Sequence, residues 1–232
     1  MSGRLASFRG PSTPTSSPVR QVSQPNTPSS PGRLAESTYH RKTRAILQDI
    51  RTVTENWDDI VLVDGLKAAK SLVDTRTDLD NELGTLPAGT QPKYPVVQDK
   101  LALMEKRISE LNAVITKLRK QFQKLNNLVE NLETLLHETS KTKGWNAVQE
   151  PLWTTWSLEK FATALPDILI PYHRSLHMHI EIVDTLRSHD VKFEVSREAI
   201  NRWVTQPFLQ EDGWEAFWED LCEVEIDRFN SK

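Results

Sequence analysis

The sequence contains a single cysteine, Cys222, among its 232 residues, which excludes a disulfide within the chain. A reducing compartment is therefore expected. Long apolar runs are also missing, because no stretch approaches the roughly 18 residues that a membrane-spanning helix needs. The first residues lack the apolar core of a secretory signal peptide, so we expect a cytosolic or nuclear protein without a membrane partner.

Glycine is scarce as well, with eight residues, and none stands in a G-x-G-x-x-G or P-loop array. No nucleophile elbow is visible in the sequence either. Cys222 lies among acidic residues, which raise the pKa of a thiol and disfavour a reactive thiolate. These absences predict a protein that is not an enzyme and that carries no cofactor.

Three histidines, His173, His177 and His179, have a spacing that resembles a metal site. A histidine pair at i and i+4 can bind zinc from one face of a helix. His177 and His179 cannot share a face with His173 equally well, and neither an H-E-x-x-H glutamate nor a cysteine is nearby. We therefore expect partly exposed surface histidines and no metal.

Residues 1–37 hold six of the 13 prolines, many serines and four arginines against one glutamate, with few bulky apolar residues. This composition predicts a disordered Ser/Pro-rich tail. Ser17 and Ser30 begin Ser-Pro-x-Arg sequences, the form that cyclin-dependent kinases favour, and Thr13 and Thr27 begin minimal Thr-Pro sites. Phosphorylation would replace the positive charge of the tail with negative charge, although Ser-Pro pairs are common in any disordered tail.

From about residue 37 to residue 83 the pattern is helical, because Ile46, Ile50, Val53, Trp57 and Ile60 recur at steps of four and three. Gly65 is expected to be a weak point, after which the apolar stripe changes phase. Glycines and prolines between residues 84 and 95 predict a loop of about a dozen residues.

The clearest pattern is a run of five heptads with apolar a and d positions and polar e positions. The apolar positions are Leu101, Met104, Ile108, Leu111, Ile115, Leu118, Phe122, Leu125, Val129, Leu132 and Leu136. The seam can pack against the first helix of the same chain, as an antiparallel hairpin over residues 38–143. It can also form a parallel coiled coil with a second chain, which β-branched a positions and Leu at d favour. The short linker favours the hairpin.

Residues 144–232 differ in character, since six of the seven tryptophans fall between Trp145 and Trp218. We expect a smaller Trp-rich helical part, interrupted at Pro166 and Pro171, with a short helix from Ser196. Aromatic residues in its first half are expected to form a core: Trp153, Trp156, Phe161 and Tyr172. Trp214 and Trp218 are flanked by acids in a final acidic helix, so an interface with a basic partner is an equal alternative there.

Two segments carry a resemblance to a known family. Pro151-Leu152-Trp153-Thr154-Thr155-Trp156, followed by Phe161, Tyr172 and Leu176, is similar to the C-terminal signature of the cyclin-dependent kinase 2-interacting protein family. So is Arg202-Trp203-Val204-Thr205-Gln206-Pro207-Phe208-Leu209 further on. The resemblance covers about a third of the chain, and the heptad segment fits the family by its helical pattern alone.

This resemblance implies a nuclear adaptor without catalytic activity, working in a heteromeric complex. The implied partners are cyclin-dependent or replication kinases, with roles in DNA replication and checkpoint signalling, and AAA+ ATPase subunits that act in ribosome maturation. Direct contact with nucleic acid is not expected. The docking candidates are Trp153, Trp156, Trp203, Pro207 and Phe208. The alternative is a structural coiled-coil subunit of a kinetochore, tethering or cytoskeletal assembly, which would associate stably through the heptads.

Overall fold

The computed structural model describes residues 37–87, 89–91 and 94–227, and these residues are mainly helical and contain no β-strand. The predicted all-α class is confirmed for them. Within them, no helix combines the length and the apolar character that crossing a bilayer requires. The chain divides into two units, Met1–Ala35 and Glu36–Lys232, and the described residues all belong to the second. The α-helices are α1 (Thr38–Asp59), α2 (Leu66–Gly84), α3 (Tyr94–Lys143), α4 (Trp145–Gln149), α5 (Leu158–Ala164), α6 (Leu169–Arg187), α7 (Phe193–Thr205), α8 (Pro207–Gln210) and α9 (Trp214–Leu221).

A π-helical turn, Ile60–Gly65, joins α1 directly to α2, so the first long helix runs from residue 38 to residue 84. The helix continues through Gly65, the predicted weak point, because the backbone of this residue is right-handed helical, with φ −69° and ψ −46°. The inserted turn accounts for the change of phase in the apolar stripe. A π-helical turn adds one residue to the local repeat and rotates every later side chain about the helix axis.

The loop after α2 is shorter than expected. The helix ends at Gly84 and α3 already begins at Tyr94, with Pro95 in its first turn. Proline fits this place because the first amides of a helix have no intrahelical acceptor to lose and its fixed φ suits the helix. Pro95 therefore begins the third helix and does not belong to the break before it.

Helix α3 runs antiparallel to the first long helix. Residue numbers fall along α2 and the π-helical turn as they rise along α3. The contacts that show this are Lys100–Glu82 (2.6 Å), Arg107–Ser71 (3.0 Å) and Lys117–Asp64 (2.7 Å). The ion pairs are exposed, so they define the direction of packing more than they stabilise it.

The d-position leucines of α3 lie in the core. Leu111, Leu118, Leu125 and Leu132, all at d positions, are completely buried. Three residues that directly precede an a position are buried as well: Val114, Leu128 and Leu135. Three apolar positions in seven form a wider stripe than a two-stranded coil requires. In agreement with this, α3 contacts α1, α2, α4, α5 and α6, and it is the central helix of a bundle.

The helical pattern after Ser157 is interrupted at Pro166 as predicted, but the predicted interruption at Pro171 is wrong, because a proline in the first turn of a helix has no intrahelical hydrogen bond to lose. A 3₁₀ turn, Leu165–Ile168, contains Pro166, and Pro171 lies in the first turn of α6. Helix α7 begins at Phe193, three residues before the predicted Ser196. Arg76 of α2 is 4% exposed and fixes these helices, because its guanidinium donates to the Leu186 carbonyl at 2.5 Å and to Ser196 Oγ at 3.4 Å.

Candidate docking surface

Trp203 lies at the centre of the packing between α7 and the first long helix. It is completely buried, and its indole N–H donates to the Val61 carbonyl at 3.0 Å. The same carbonyl accepts the N–H of Leu66, five residues further along the π-helical turn. The ring of His179 stands perpendicular to the indole, with centroids 4.5 Å apart. Trp203 is therefore a core residue in this structure and presents no surface to a partner.

Gln206 fixes the corner between α7 and α8. Its φ is 40°, in the left-handed region that is unfavourable for a residue with a side chain. Its Oε1 accepts the indole N–H of Trp57 at 3.0 Å, and its Nε2 donates to Asp58 Oδ1 at 2.9 Å. These two hydrogen bonds hold the strained turn and so position Pro207 and Phe208. Sequence reasoning passed over Gln206, although a residue before proline is biased away from the helix and could have indicated the corner.

The segment Pro151–Trp156 is held by one carboxylate from the far end of the chain. Glu225 is completely buried, and its carboxylate accepts the N–H groups of Thr154 (3.2 Å), Thr155 (2.9 Å) and Trp156 (3.1 Å). It also accepts the hydroxyl of Thr155 at 2.7 Å. Glu225 belongs to a second π-helical turn, Cys222–Asp227, which follows α9. In the sequence this glutamate is one of several acidic residues near the final helix. Only the tertiary structure shows that it is buried and hydrogen-bonded.

The five docking candidates occupy different environments. Trp156 is 9% exposed and packs with Phe161, so it belongs to the core together with Trp203. Trp153, Pro207 and Phe208 are partly buried and keep some surface. The four phosphorylation candidates, Thr13, Ser17, Thr27 and Ser30, lie outside the described residues.

Trp153 lies against the start of α1. The guanidinium of Arg44 sits 5.2 Å from the centre of its ring, and the ring of His40 is 6.2 Å away. On its other side the indole meets Phe161 edge to face, with centroids 6.0 Å apart. Much of the Trp153 side chain is therefore packed against α1 and α5, and these contacts anchor the 151–156 segment.

Pro207 and Phe208 lie elsewhere, beside the first turns of α6. Phe208 lines a surface groove of about 360 Å³ together with Ile170, Pro171, Arg174 and Trp214, here called the Phe208 groove. Ile170 is 53% exposed although it is a large apolar residue. Contiguous exposed apolar and aromatic side chains rimmed by charge are typical of a protein-binding surface. The structure thus joins Phe208 to Trp214, which sequence reasoning had treated as a separate candidate.

The three histidines do not converge. His173 and His177 are exposed one turn apart, with their Nε2 atoms 3.2 Å from each other. His179 is completely buried, and its Nδ1 hydrogen-bonds with the Ser175 carbonyl at 2.7 Å. Burial lowers the pKa of His179 to about 4. In the described part of the chain, no group of three or more histidine, cysteine or acidic side chains is placed to hold a metal ion.

Cys222 is buried beneath the acidic end of the chain. Burial is the main cause that raises the pKa of its thiol to about 12, with Asp227, Glu55 and Glu219 adding to the effect and Arg51 opposing it. The predicted direction of the pKa shift is confirmed, although desolvation contributes more than the acidic neighbours. A thiol in this environment is a poor nucleophile.

No protein-family model matches the chain, and a search of curated proteins finds no match either.

Proposed function

We propose that this protein is a non-catalytic nuclear adaptor of the cyclin-dependent kinase 2-interacting protein type. It docks through its Trp-rich C-terminal part onto a heteromeric complex that contains AAA+ ATPase subunits and replication or cyclin-dependent kinases. The observation that carries the proposal is the Phe208 groove, an aromatic surface held outward by the buried corner at Trp203 and Gln206. The groove contains Phe208 from one of the two segments that carry the family resemblance.

The antiparallel pair of long helices serves as the rigid spacer of this adaptor. Its heptad leucines are used inside the chain, since the d positions of α3 from Leu111 to Leu132 are completely buried. A structural coiled-coil subunit would need that seam for a second chain. Among the seam positions only Leu101, at the start of α3, is an exposed large apolar residue, at 38%. The packing therefore favours the adaptor over the coiled-coil subunit.

The choice of variant decides how well this proposal can be tested. Trp203→Ala would open a large cavity in the core and would unfold part of the protein, so lost binding would carry no information about docking. Phe208 is partly buried and packs against the edge of the core, so Phe208→Ala removes one aromatic side chain of the groove and affects the core less than Trp203→Ala. Phe193→Ala is the matched control, because Phe193 is 53% exposed and lies at the opposite end of α7.

The experiment is mass spectrometry of the proteins that co-purify with the tagged full-length chain from its native cells. We expect AAA+ ATPase subunits or replication kinases with the unaltered protein and with Phe193→Ala, and their loss with Phe208→Ala. Recovery of coiled-coil subunits alone, unchanged in Phe208→Ala, would overturn the proposal in favour of the structural alternative. Nuclear fractionation and phosphopeptide mapping of Ser17 and Ser30 test the proposed location and the kinase-addressed tail in the same cells.

A further inference from the structure

A second groove opens on the other side of Trp214 and is formed by five elements: α1, α6, α8, α9 and the Cys222–Asp227 turn. Its volume is about 370 Å³. Apolar and aromatic side chains line it, among them Tyr172, Leu209, Trp214 and Trp218. Tyr172, Leu209 and Trp218 are at most 6% exposed and form its floor, whereas Trp214 is partly exposed and forms a wall. We call it the acidic groove, for the charges described next.

Its charged lining is strongly one-sided. Six carboxylates line the groove, against one cation, Arg51. Arg51 already holds two of the six, Glu55 at 3.3 Å and Asp227 at 3.1 Å. Four carboxylates are left around the aromatic floor: Asp58, Glu215, Glu219 and Glu223. A groove with this lining attracts a cation and repels anions such as nucleic-acid phosphates.

The carboxylates crowd one another inside the groove. The pKa of Glu215 is raised by partial burial and by repulsion from Asp58 and Glu219. The pKa of Tyr172 is raised by burial and then by the same Asp58 and Glu215. Side chains from α1, α6 and α9 therefore face the same space, and a cation placed there would relieve the repulsion between the carboxylates of Asp58 and Glu215.

The contacts of Arg51 show that carboxylates of this groove can bind a guanidinium group. A single nitrogen of its guanidinium donates to both carboxylate oxygens of Asp227 at 3.1 Å, within the lining of the groove. Lysine or arginine chemistry also suits the aromatic wall, because the stem of either side chain packs on a ring and its charge is attracted to the ring face. The groove is too small for a folded domain, and its volume suits one or two side chains of an extended segment.

We propose that the acidic groove binds a lysine- or arginine-bearing segment of a partner protein, with one cation between Asp58 and Glu215 and its stem against Trp214. The proposal deepens the proposed adaptor function, since Trp214 also lines the Phe208 groove and the two form one docking surface. Four carboxylates without a cation beside them in the groove surround an aromatic floor, although Asp58 also accepts a hydrogen bond from Gln206. Their charge gives the complementarity that selects a basic segment.

The test uses the purified full-length chain and a short fluorescein-labelled peptide in which lysine alternates with alanine, followed by fluorescence anisotropy. The variant Glu215→Gln/Glu219→Gln removes two groove charges. The control Glu130→Gln/Glu133→Gln removes two exposed charges from α3, which does not line the groove. We expect the groove variant to weaken binding about tenfold and the control less than about twofold. Equal weakening in both, or no binding to the unaltered chain, would overturn the proposal.

A second pair of variants separates a defined groove from general attraction between opposite charges. Trp214→Ala removes the aromatic wall without changing charge, and Trp145→Ala removes a tryptophan that is 51% exposed elsewhere. Only Trp214→Ala should lower the affinity for the lysine peptide, by about fivefold. Identical affinities for both variants would contradict a site built on Trp214. Thermal unfolding of each variant confirms that it is folded.

The two proposals can fail separately. In the first case, Phe208→Ala loses the co-purifying partners while the peptide affinities follow net charge alone. That result would support the proposed adaptor function and contradict the proposed binding of a basic segment in the acidic groove. If the peptide binds as expected and no ATPase or kinase partner is recovered, the groove is a basic-segment site on a protein of another function.

Discussion

The indole of Trp203 occupies the space that a side chain on Gly65 would need. A Cβ built on Gly65 would collide with Cζ2 of the indole and would lie 3.0 Å from its Cε2. Gly65 ends the π-helical turn whose Val61 carbonyl accepts the Trp203 N–H. A glycine that the sequence marked as a weak point is therefore a position where Trp203 of α7 packs directly against the first long helix.

This contact makes Gly65→Ala destabilising. The added methyl group forces the buried indole away from Val61, and overpacking of this kind costs about 1–3 kcal/mol. Gly84→Ala is the control, because a Cβ on Gly84 meets nothing within 4 Å. Urea unfolding should show a lower free energy of unfolding for Gly65→Ala and an unchanged or slightly higher one for Gly84→Ala. Equal stability of the two variants would contradict the close contact.

The buried carboxylate of Glu225 is predicted to hold the 151–156 segment in place. Glu225→Gln puts an amide NH₂ among the N–H groups of Thr154, Thr155 and Trp156, leaves some of these donors unpaired and costs about 1–3 kcal/mol. Glu223→Gln makes the same change at an exposed neighbour and should stay within about 0.5 kcal/mol of the unaltered protein. Denaturant unfolding measures both. Faster amide hydrogen exchange at residues 154–156 in Glu225→Gln alone would confirm where the loss occurs.

His179 is predicted to make the fold sensitive to acid. Its pKa in the folded chain is lowered to about 4 by burial, against about 6.5 when unfolded. Between these two pKa values the unfolded chain binds a proton that the folded chain does not, and this favours the unfolded chain. Above pH 6.5 neither state is protonated at His179, so the stability contributed by the neutral buried side chain is complete. It is lost as the pH falls towards 4, by up to about 1.4 kcal/mol per pH unit and about 3 kcal/mol in all.

The measurement is the free energy of unfolding of the unaltered chain, His179→Gln and His189→Gln between pH 7 and pH 4.5. His189 is exposed, so its variant should follow the pH dependence of the unaltered chain. His179→Gln should be less stable at pH 7 but should lose less stability on acidification. Parallel curves for all three proteins would show that His179 does not carry the effect.

Leu118 is predicted to be essential to the helical bundle. It is completely buried at a d position of α3, and Leu118→Asp places an unpaired charge there at a cost of several kcal/mol. Circular dichroism should show a large loss of helicity. Thr116→Asp, two residues away on the exposed face, should retain it. Unchanged helicity in Leu118→Asp would mean that the seam is dispensable.

The long helices could be predicted because their signal is local. Ile50, Val53 and Trp57 repeat at helical spacing, and all three are completely buried. The heptads of α3 likewise indicated which leucines face inward. The same pattern suggested a two-stranded coil. The wider buried face was not recognised because Val114, Leu128 and Leu135 are apolar at only some of the g positions. Whether such residues are buried depends on helices that come much later in the chain.

The candidate docking surface was less accessible to sequence reasoning. Trp156 and Trp203 were candidates because tryptophan is frequent at interfaces, but the same large apolar surface makes it a core residue. The tertiary structure decides between the two, by giving Trp203 an acceptor at Val61 and an edge contact with His179. The acidic groove depends on Asp58 and Glu215 meeting across about 150 residues of chain, which no spacing rule predicts.

By itself, the sequence determined that the described chain is mainly helical, where the break between its two long helices falls, and that the d-position leucines of α3 face inward. These follow from periodicity and from glycine and proline, whose effects act within a turn or two. Only the tertiary structure decided that Gly65 leaves space for the indole of Trp203, that Glu225 is buried and that Trp214 lines two grooves. Those outcomes depend on long-range packing, in which the environment of a side chain is set by residues far away in the chain.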